Sequence, residues 1–283
     1  MTIDDRVVLF VIRSKIPGHI RSADVDVVTD AEKSRLRHTK TLWTHAAYRA
    51  VIAVVQRARR DLRRYYALPC AVHDGVYLVP VGLQDAATGM LNKHAEEFYG
   101  KVNEFCDAYP GLVKQAKEQL RSLFNPDDYP PVDVIRQRFK FDWLVFQFIP
   151  SDGYSGTVVQ DISSSSRDVL RAELVQLMDR LIRSLVPQEE GKRATLRTST
   201  VNDTLTWLEN LPARNISDDE TVVQLADRIK ALVVDKDIDE LRADKDQRQS
   251  VAKAISAIRD EAVTLFGVRK IDLSDSDVSE EAD

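Results

Sequence analysis

The stretch WTHAAYRAVIAVVQRARRDLRRYY, residues 43–66, decides the fold. Trp43, Ala46, Ala47, Ala50, Val51, Val54, Val55, Ala58 and Leu62 recur at i, i+3, i+4 and i+7, the spacing of one buried helix face. Arg49, Arg59, Arg60 and Arg63 fall on the other face, with Arg57 and Arg64 near the boundary. Upstream, Thr29-Asp-Ala-Glu32 has the form of a capping box. The spacing therefore predicts one long helix from there to about Tyr66, closed by Leu68-Pro69 because proline disfavours a helical residue before it.

Before this helix, VVLFVIR (residues 7–13) reads as a buried strand ending at the Pro17-Gly18 turn. After it, CAVHDGVYLVPVG places Asp74-Gly75 between two β-prone runs, a hairpin signal. Leu83, Ala87, Met90, Leu91, His94, Phe98, Val102 and Phe105 are again at helical spacing. Pro110-Gly111 then predicts a helix–turn–helix rather than one rod. Asn125–Pro131 is a break, and FKFDWLVFQFIP reads as a strand.

Three further stripes follow, led by Leu170–Leu185, Leu196–Leu211 and Val222–Val234. Ser163–Ser166 should precede the first, and a second capping box, Ser217-Asp-Asp-Glu220, should open the third. A final amphipathic helix runs over Val251–Leu265. The expected fold is mainly α, an elongated helical bundle with a small β hairpin or sheet as an appendage. The expected organisation is a helical region with the β element over 1–150, a C-terminal helical region over 151–271, and an acidic disordered tail over 272–283.

The chain has 283 residues and ten glycines and ten prolines, few for an all-β or collagen-like protein. No run approaches the roughly 18 apolar residues of a membrane span, and the N-terminus lacks a signal-peptide layout. Cys70 and Cys106 cannot build a disulfide scaffold. These features predict a soluble, cytoplasmic protein with no membrane partner, in the host cytoplasm if phage-encoded.

The net charge of −5 is unevenly placed. Ten Lys/Arg and one acid lie between Lys33 and Tyr65, whereas ten acids and five bases lie between Ser217 and Asp246. The last twelve residues carry six acids and no base. Such blocks mark solvated faces or interaction surfaces, and they permit one copy to attract another.

Catalytic signatures are sparse. No phosphate-binding glycine loop occurs, and Gly153-Tyr-Ser155-Gly156 is one residue short of a nucleophile elbow. His19, His38, His45, His73 and His94 show no metal-ligand spacing. Asp127 and Asp128, near Arg136 and Arg138, read as turn chemistry rather than an acid–arginine site. We expect no enzyme activity, no cofactor and no metal. The candidate interaction patch is Arg57, Arg59, Arg60, Arg63 and Arg64, whose planar guanidinium groups suit carboxylate or phosphate partners. Tyr65 and Tyr66 follow directly and offer rings for stacking on bases.

In series, VVLFVIRSKIPGHI, the arginine-rich helix, LPCAVHDGVYLVPVG, EFYGKVNEFCDAYPGLV, DYPPVDVIRQRFKFDWLVFQFIP and VNDTLTWLENL resemble an uncharacterised family of phage and plasmid proteins. Members of that family are often encoded near MoxR-type AAA+ ATPases and cobaltochelatase-like proteins. The resemblance covers about residues 5–270, implies a mobile-element setting and a multi-protein assembly, and supplies no active-site residues. The leading expectation is a self-assembling or scaffolding protein, a homo-oligomer joined through helical faces and basic/acidic complementarity. The alternatives are a nucleic-acid-binding accessory protein using the arginine-rich helix and an adaptor for an AAA+ ATPase.

Overall fold

The computed structural model describes residues 6–23, 38–69, 75–147, 155–186, 196–234, 236 and 238–267. The Thr29–Glu32 box, Asp74 and the acidic tail lie outside these residues. The elements in order are β1 (Val7–Lys15), β2 (Ile20–Ser22), β3 (Thr39–Thr41), α1 (Ala46–Asp61), a π turn (Leu62–Tyr66), β4 (Leu68–Pro69), β5 (Val76–Pro80) and α2 (Gln84–Leu120). They continue with α3 (Val132–Gln137), β6 (Lys140–Gln147), α4 (Ser155–Leu185), α5 (Thr198–Arg214), α6 (Glu220–Val233), α7 (Ile238–Ala243) and α8 (Lys245–Phe266). The fold is mainly α with a small antiparallel sheet, as the periodicities predict.

The sheet has the order β4-β5-β1-β6. β1 pairs antiparallel with β5 (Leu9↔Leu78) and with β6 (Phe10↔Val145). Alternation along β1 sends Val8, Phe10 and Ile12 into one hydrophobic core and Val7 into another. The first core holds the inner faces of α1 and α2 with Phe139 and Phe141. The second is built from α4, α5, α6 and α8, and it reaches the sheet through Val7, Leu68 and Leu78. The strands thus stand between two cores, each of which takes one face of β1.

Local chemistry revises several boundaries. α1 starts at Ala46, because β3 pairs with β2 and occupies the chain just before it. Its cap is His45, whose Nδ1 accepts from Ala47 N at 3.2 Å. The predicted helix–turn–helix at Pro110-Gly111 is instead one 37-residue helix with Pro110 inside. Phe98, Val102, Phe105, Cys106, Tyr109, Leu112 and Ala116 form one buried stripe across the proline, and packing outweighs the missing hydrogen bond. Ser163–Ser166 lie within α4, which opens at Ser155. α6 is capped by Asp219, which accepts from Thr221 N and Val222 N, so the capping residue falls two positions later than the box implies.

An aromatic cluster ties the first core together. Trp43 packs at 5.7 Å from Phe105 and 5.8 Å from Tyr109, ring to ring. Asp128 pairs with Lys40 Nζ at 2.8 Å, and Asn125 Oδ1 accepts from Asp127 N. Arg136 donates to Asn103 Oδ1. The acids of the 125–131 break therefore serve turn and packing roles.

Candidate functional site

Because Val51, Val54, Val55 and Ala58 point inward, Arg49, Gln56, Arg60 and Arg63 form an outward stripe at i, i+7, i+11 and i+14. All four are exposed, as is Arg59. The five arginines of the predicted patch divide into two groups. Arg57 pairs with Glu97 of α2. Arg64 pairs with Asp203 of α5 at 3.4 Å, and its guanidinium lies 5.2 Å over the Tyr65 ring. These two join α1 and the π turn to neighbouring helices. Arg59 Nη2 donates to Ser14 Oγ at 3.1 Å, and Arg60 Nε stands 3.9 Å from Asp61. Arg63 has no hydrogen bond or ion pair among the described residues. Arg59, Arg60 and Arg63, with Arg49, are the face left to solvent.

The end of this helix is a π turn, in which Ala67 N donates to Leu62 O at 2.8 Å. Carbonyls at a helix end need outside donors. Here α5 supplies them: Asn210 Nδ2 donates to Tyr65 O at 3.1 Å and Arg214 Nη2 to Ala67 O at 3.0 Å. Tyr65 and Tyr66 are both half-buried. Burial pushes the Tyr65 phenol up to about 12, against the pull of Arg64 and helped by a hydrogen bond with Asp203. Tyr66 lines a hollow of about 480 Å³ with Gly89, Met90, Lys93, His94 and Glu97. On its wall His94 Nε2 stands 3.0 Å from Asp61 Oδ2, and Nδ1 4.0 Å from Glu97 Oε2. The two tyrosines are therefore built into the π turn rather than presented as free stacking platforms.

A second cluster, not signalled by the sequence, sits where the π turn meets α4 and α5. Arg214 is fully buried, and its Nη2 lies 2.8 Å from Glu173 Oε2. The same carboxylate oxygen accepts from Trp207 Nε1 at 2.8 Å. Among the described residues, Arg214 Nε and Nη1 are buried without a hydrogen-bond partner. Arg180, seven residues after Glu173 on α4, is pushed below its ordinary value by burial first and by the nearby Arg64 second. In sequence, Arg214 closes a helix after Pro212-Ala213 and reads as an ordinary cation near a helix C-terminus.

Among the described residues, no group of three His, Cys, Asp or Glu side chains is placed to hold a metal ion. No helix among them is long and apolar enough to cross a membrane. Compared with family models, curated proteins and solved structures, the chain shows no match.

Proposed function

We propose that the protein is a non-enzymatic self-assembling or scaffolding protein whose exposed arginine face binds the acidic tail of another copy. The observation that carries this reading is the solvent-facing stripe of Arg49, Arg60 and Arg63 beside Arg59, answered among the described residues only by Asp61 and Ser14. Exposed cations without fixed counter-charges attract an acidic partner over roughly a Debye length. The residues Asp272–Asp283 supply six acids with no base. Arg57 and Arg64 are occupied by Glu97 and Asp203 and take no direct part. A mobile-element setting, implied by the family resemblance, suits an assembly of this kind.

The test is solution mass by size-exclusion chromatography with light scattering, at low and high salt, for the native chain and for Arg59→Glu/Arg60→Glu/Arg63→Glu. The native chain should assemble at low salt and lose mass at high salt, and the variant should stay small at both. An oligomer mass unchanged by the triple substitution, or a monomer throughout, overturns the reading. The same guanidinium stripe fits a phosphate backbone, so nucleic acid is the second reading. It predicts binding whose affinity falls steeply with salt, with a shallower slope in the triple variant.

A further inference from the structure

We propose that the outer edge of the sheet, β6, pairs antiparallel with β6 of a second copy about a two-fold axis at Val145, making one continuous sheet. β6 ends the order β4-β5-β1-β6, so among the described residues only its β1 side meets another strand. Its register with β1 is unbroken from Lys140 to Gln147. In such a ladder each residue turns both backbone groups to one side, and successive residues alternate sides. Phe141 fixes the alternation, because its N–H donates to the Tyr99 hydroxyl and its carbonyl accepts from it, each at 3.4 Å. Residues 141, 143, 145 and 147 therefore face outward. Tyr99 occupies the groups of Phe141, whereas those of Trp143, Val145 and Gln147 have no hydrogen bond among the described residues.

The register follows from these three. In an added strand, outward residues must oppose outward residues, and 143, 145 and 147 are centred on Val145. Pairing about that centre sets Val145 against its own counterpart, Trp143 against Gln147 and Leu144 against Phe146. A second copy fits because identical strands bring like charges together near the axis, and Trp143–Gln147 carries no charge. Lys140 and Asp142 lie outside the paired stretch, and Asp142 is engaged by Arg13. Edge strands are ordinarily guarded by charges, prolines or bulges, and 143–147 has none of these. Tyr99, Val145 and Phe146 are 45%, 40% and 48% exposed, three of the eight large apolar side chains so exposed among the described residues. Val145 stands across from Phe10 on the face of the first core, and Phe146 across from Leu9 on the opposite face. An added strand thus covers apolar surface on both faces.

This interface uses neither the arginine stripe nor the acidic tail, so its test separates the two readings. Light scattering is run on the full chain in about 1 M sodium chloride, where charge attraction is screened beyond roughly 3 Å. The native chain and the Arg59→Glu/Arg60→Glu/Arg63→Glu variant should both be dimers. Val145→Lys sets two ammonium groups against each other at the axis and should be a monomer with an unchanged circular dichroism spectrum. Gln147→Pro removes an outward N–H and no bond to β1, and it should raise the dimer Kd about tenfold, for two hydrogen bonds lost per dimer. Under a mild thiol oxidant such as diamide, Val145→Cys should cross-link copy to copy above the native background. Paired Cα atoms at that position lie about 5.5 Å apart, within disulfide reach. Gln147→Cys, held more than about 10 Å from its counterpart, should not cross-link. A low-salt assembly that falls to monomer in 1 M salt overturns this interface and leaves the arginine–tail reading standing. A dimer unaffected by Val145→Lys also overturns it, as does cross-linking through Gln147→Cys in place of Val145→Cys.

Discussion

Arg214 of α5 donates from Nη2 to the main-chain carbonyl of Ala67, 147 residues earlier, while the same nitrogen lies 2.8 Å from Glu173 Oε2. One buried guanidinium thus links the chain leaving α1, which belongs to the first core, to α4 and α5 of the second. Trp207 donates to the same glutamate and stands 5.8 Å, ring centroid to guanidinium carbon, from Arg214. The helix carrying the candidate surface is fixed at its C-terminal end by this network.

Arg214→Leu should therefore be strongly destabilising. It leaves Glu173 without its cation and Ala67 O without its donor, and removing one partner of a buried pair costs on the order of 3 kcal/mol. Urea denaturation followed by circular dichroism measures the loss. A change below about 1 kcal/mol, the scale of a surface pair, would show that Arg214 acts only as filler.

Pro110 makes the opposite prediction. It lies in the interior of α2 on the exposed side, where it withholds one backbone donor. Pro110→Ala should stabilise the protein by about 1–3 kcal/mol, since the helix is already formed through this position. Gly111→Ala, at a helical position with open space around the added carbon, should add up to about 1 kcal/mol. Urea midpoints test both. A loss of stability on Pro110→Ala would mean that the proline's ring contacts or a kink it imposes matter to packing against α1.

Tyr109 gives a pH signature. Its hydroxyl donates to Pro130 O at 3.1 Å, and burial first, then Tyr129, pushes it up to about 12 from an ordinary 10. A group whose value is raised in the folded state contributes fully below pH 10, and that contribution is lost as pH rises from 10 through 12. The side chain is 3% exposed, so its share is on the order of 2–3 kcal/mol. Stability from urea curves should be level between pH 8 and pH 9.5 and then fall. Tyr109→Phe should start lower, having lost the hydrogen bond, and fall less steeply. Parallel curves for the two proteins would remove Tyr109 from the cause.

The helical stripes were legible because amphipathic spacing is a local property of the chain. Val51, Val54 and Ala58 are buried on the face that the spacing predicts, and Val251, Ile255, Ile258 and Ala262 are likewise buried on one face of α8. Breaks were less legible, because they depend on what lies opposite. Pro110-Gly111 reads as a turn locally, and only the stripe from Phe98 to Ala116 packed in the first core explains why α2 continues. The arginine patch was legible as composition but not as a surface. Nothing near Arg57 or Arg64 in the sequence names Glu97 or Asp203, which approach from other helices. The Glu173–Arg214–Trp207 cluster was hidden for the same reason, since its members come from α4 and α5.

The tail decides whether charge complementarity drives assembly. Deleting Asp272–Asp283 moves the net charge from −5 to +1 and leaves the arginine stripe intact. Coulomb attraction between a run of acids and exposed guanidinium groups depends on the number of charges more than on their order. The truncated chain should therefore stay small by light scattering at low salt, and a tail of the same composition in scrambled order should restore assembly. Replacing the six acids by their amides should not. If the truncated chain assembles like the native one while Arg59→Glu/Arg60→Glu/Arg63→Glu does not, the arginine face meets an acid elsewhere. The block between Ser217 and Asp246, with ten acids against five bases, is then the next surface to reverse.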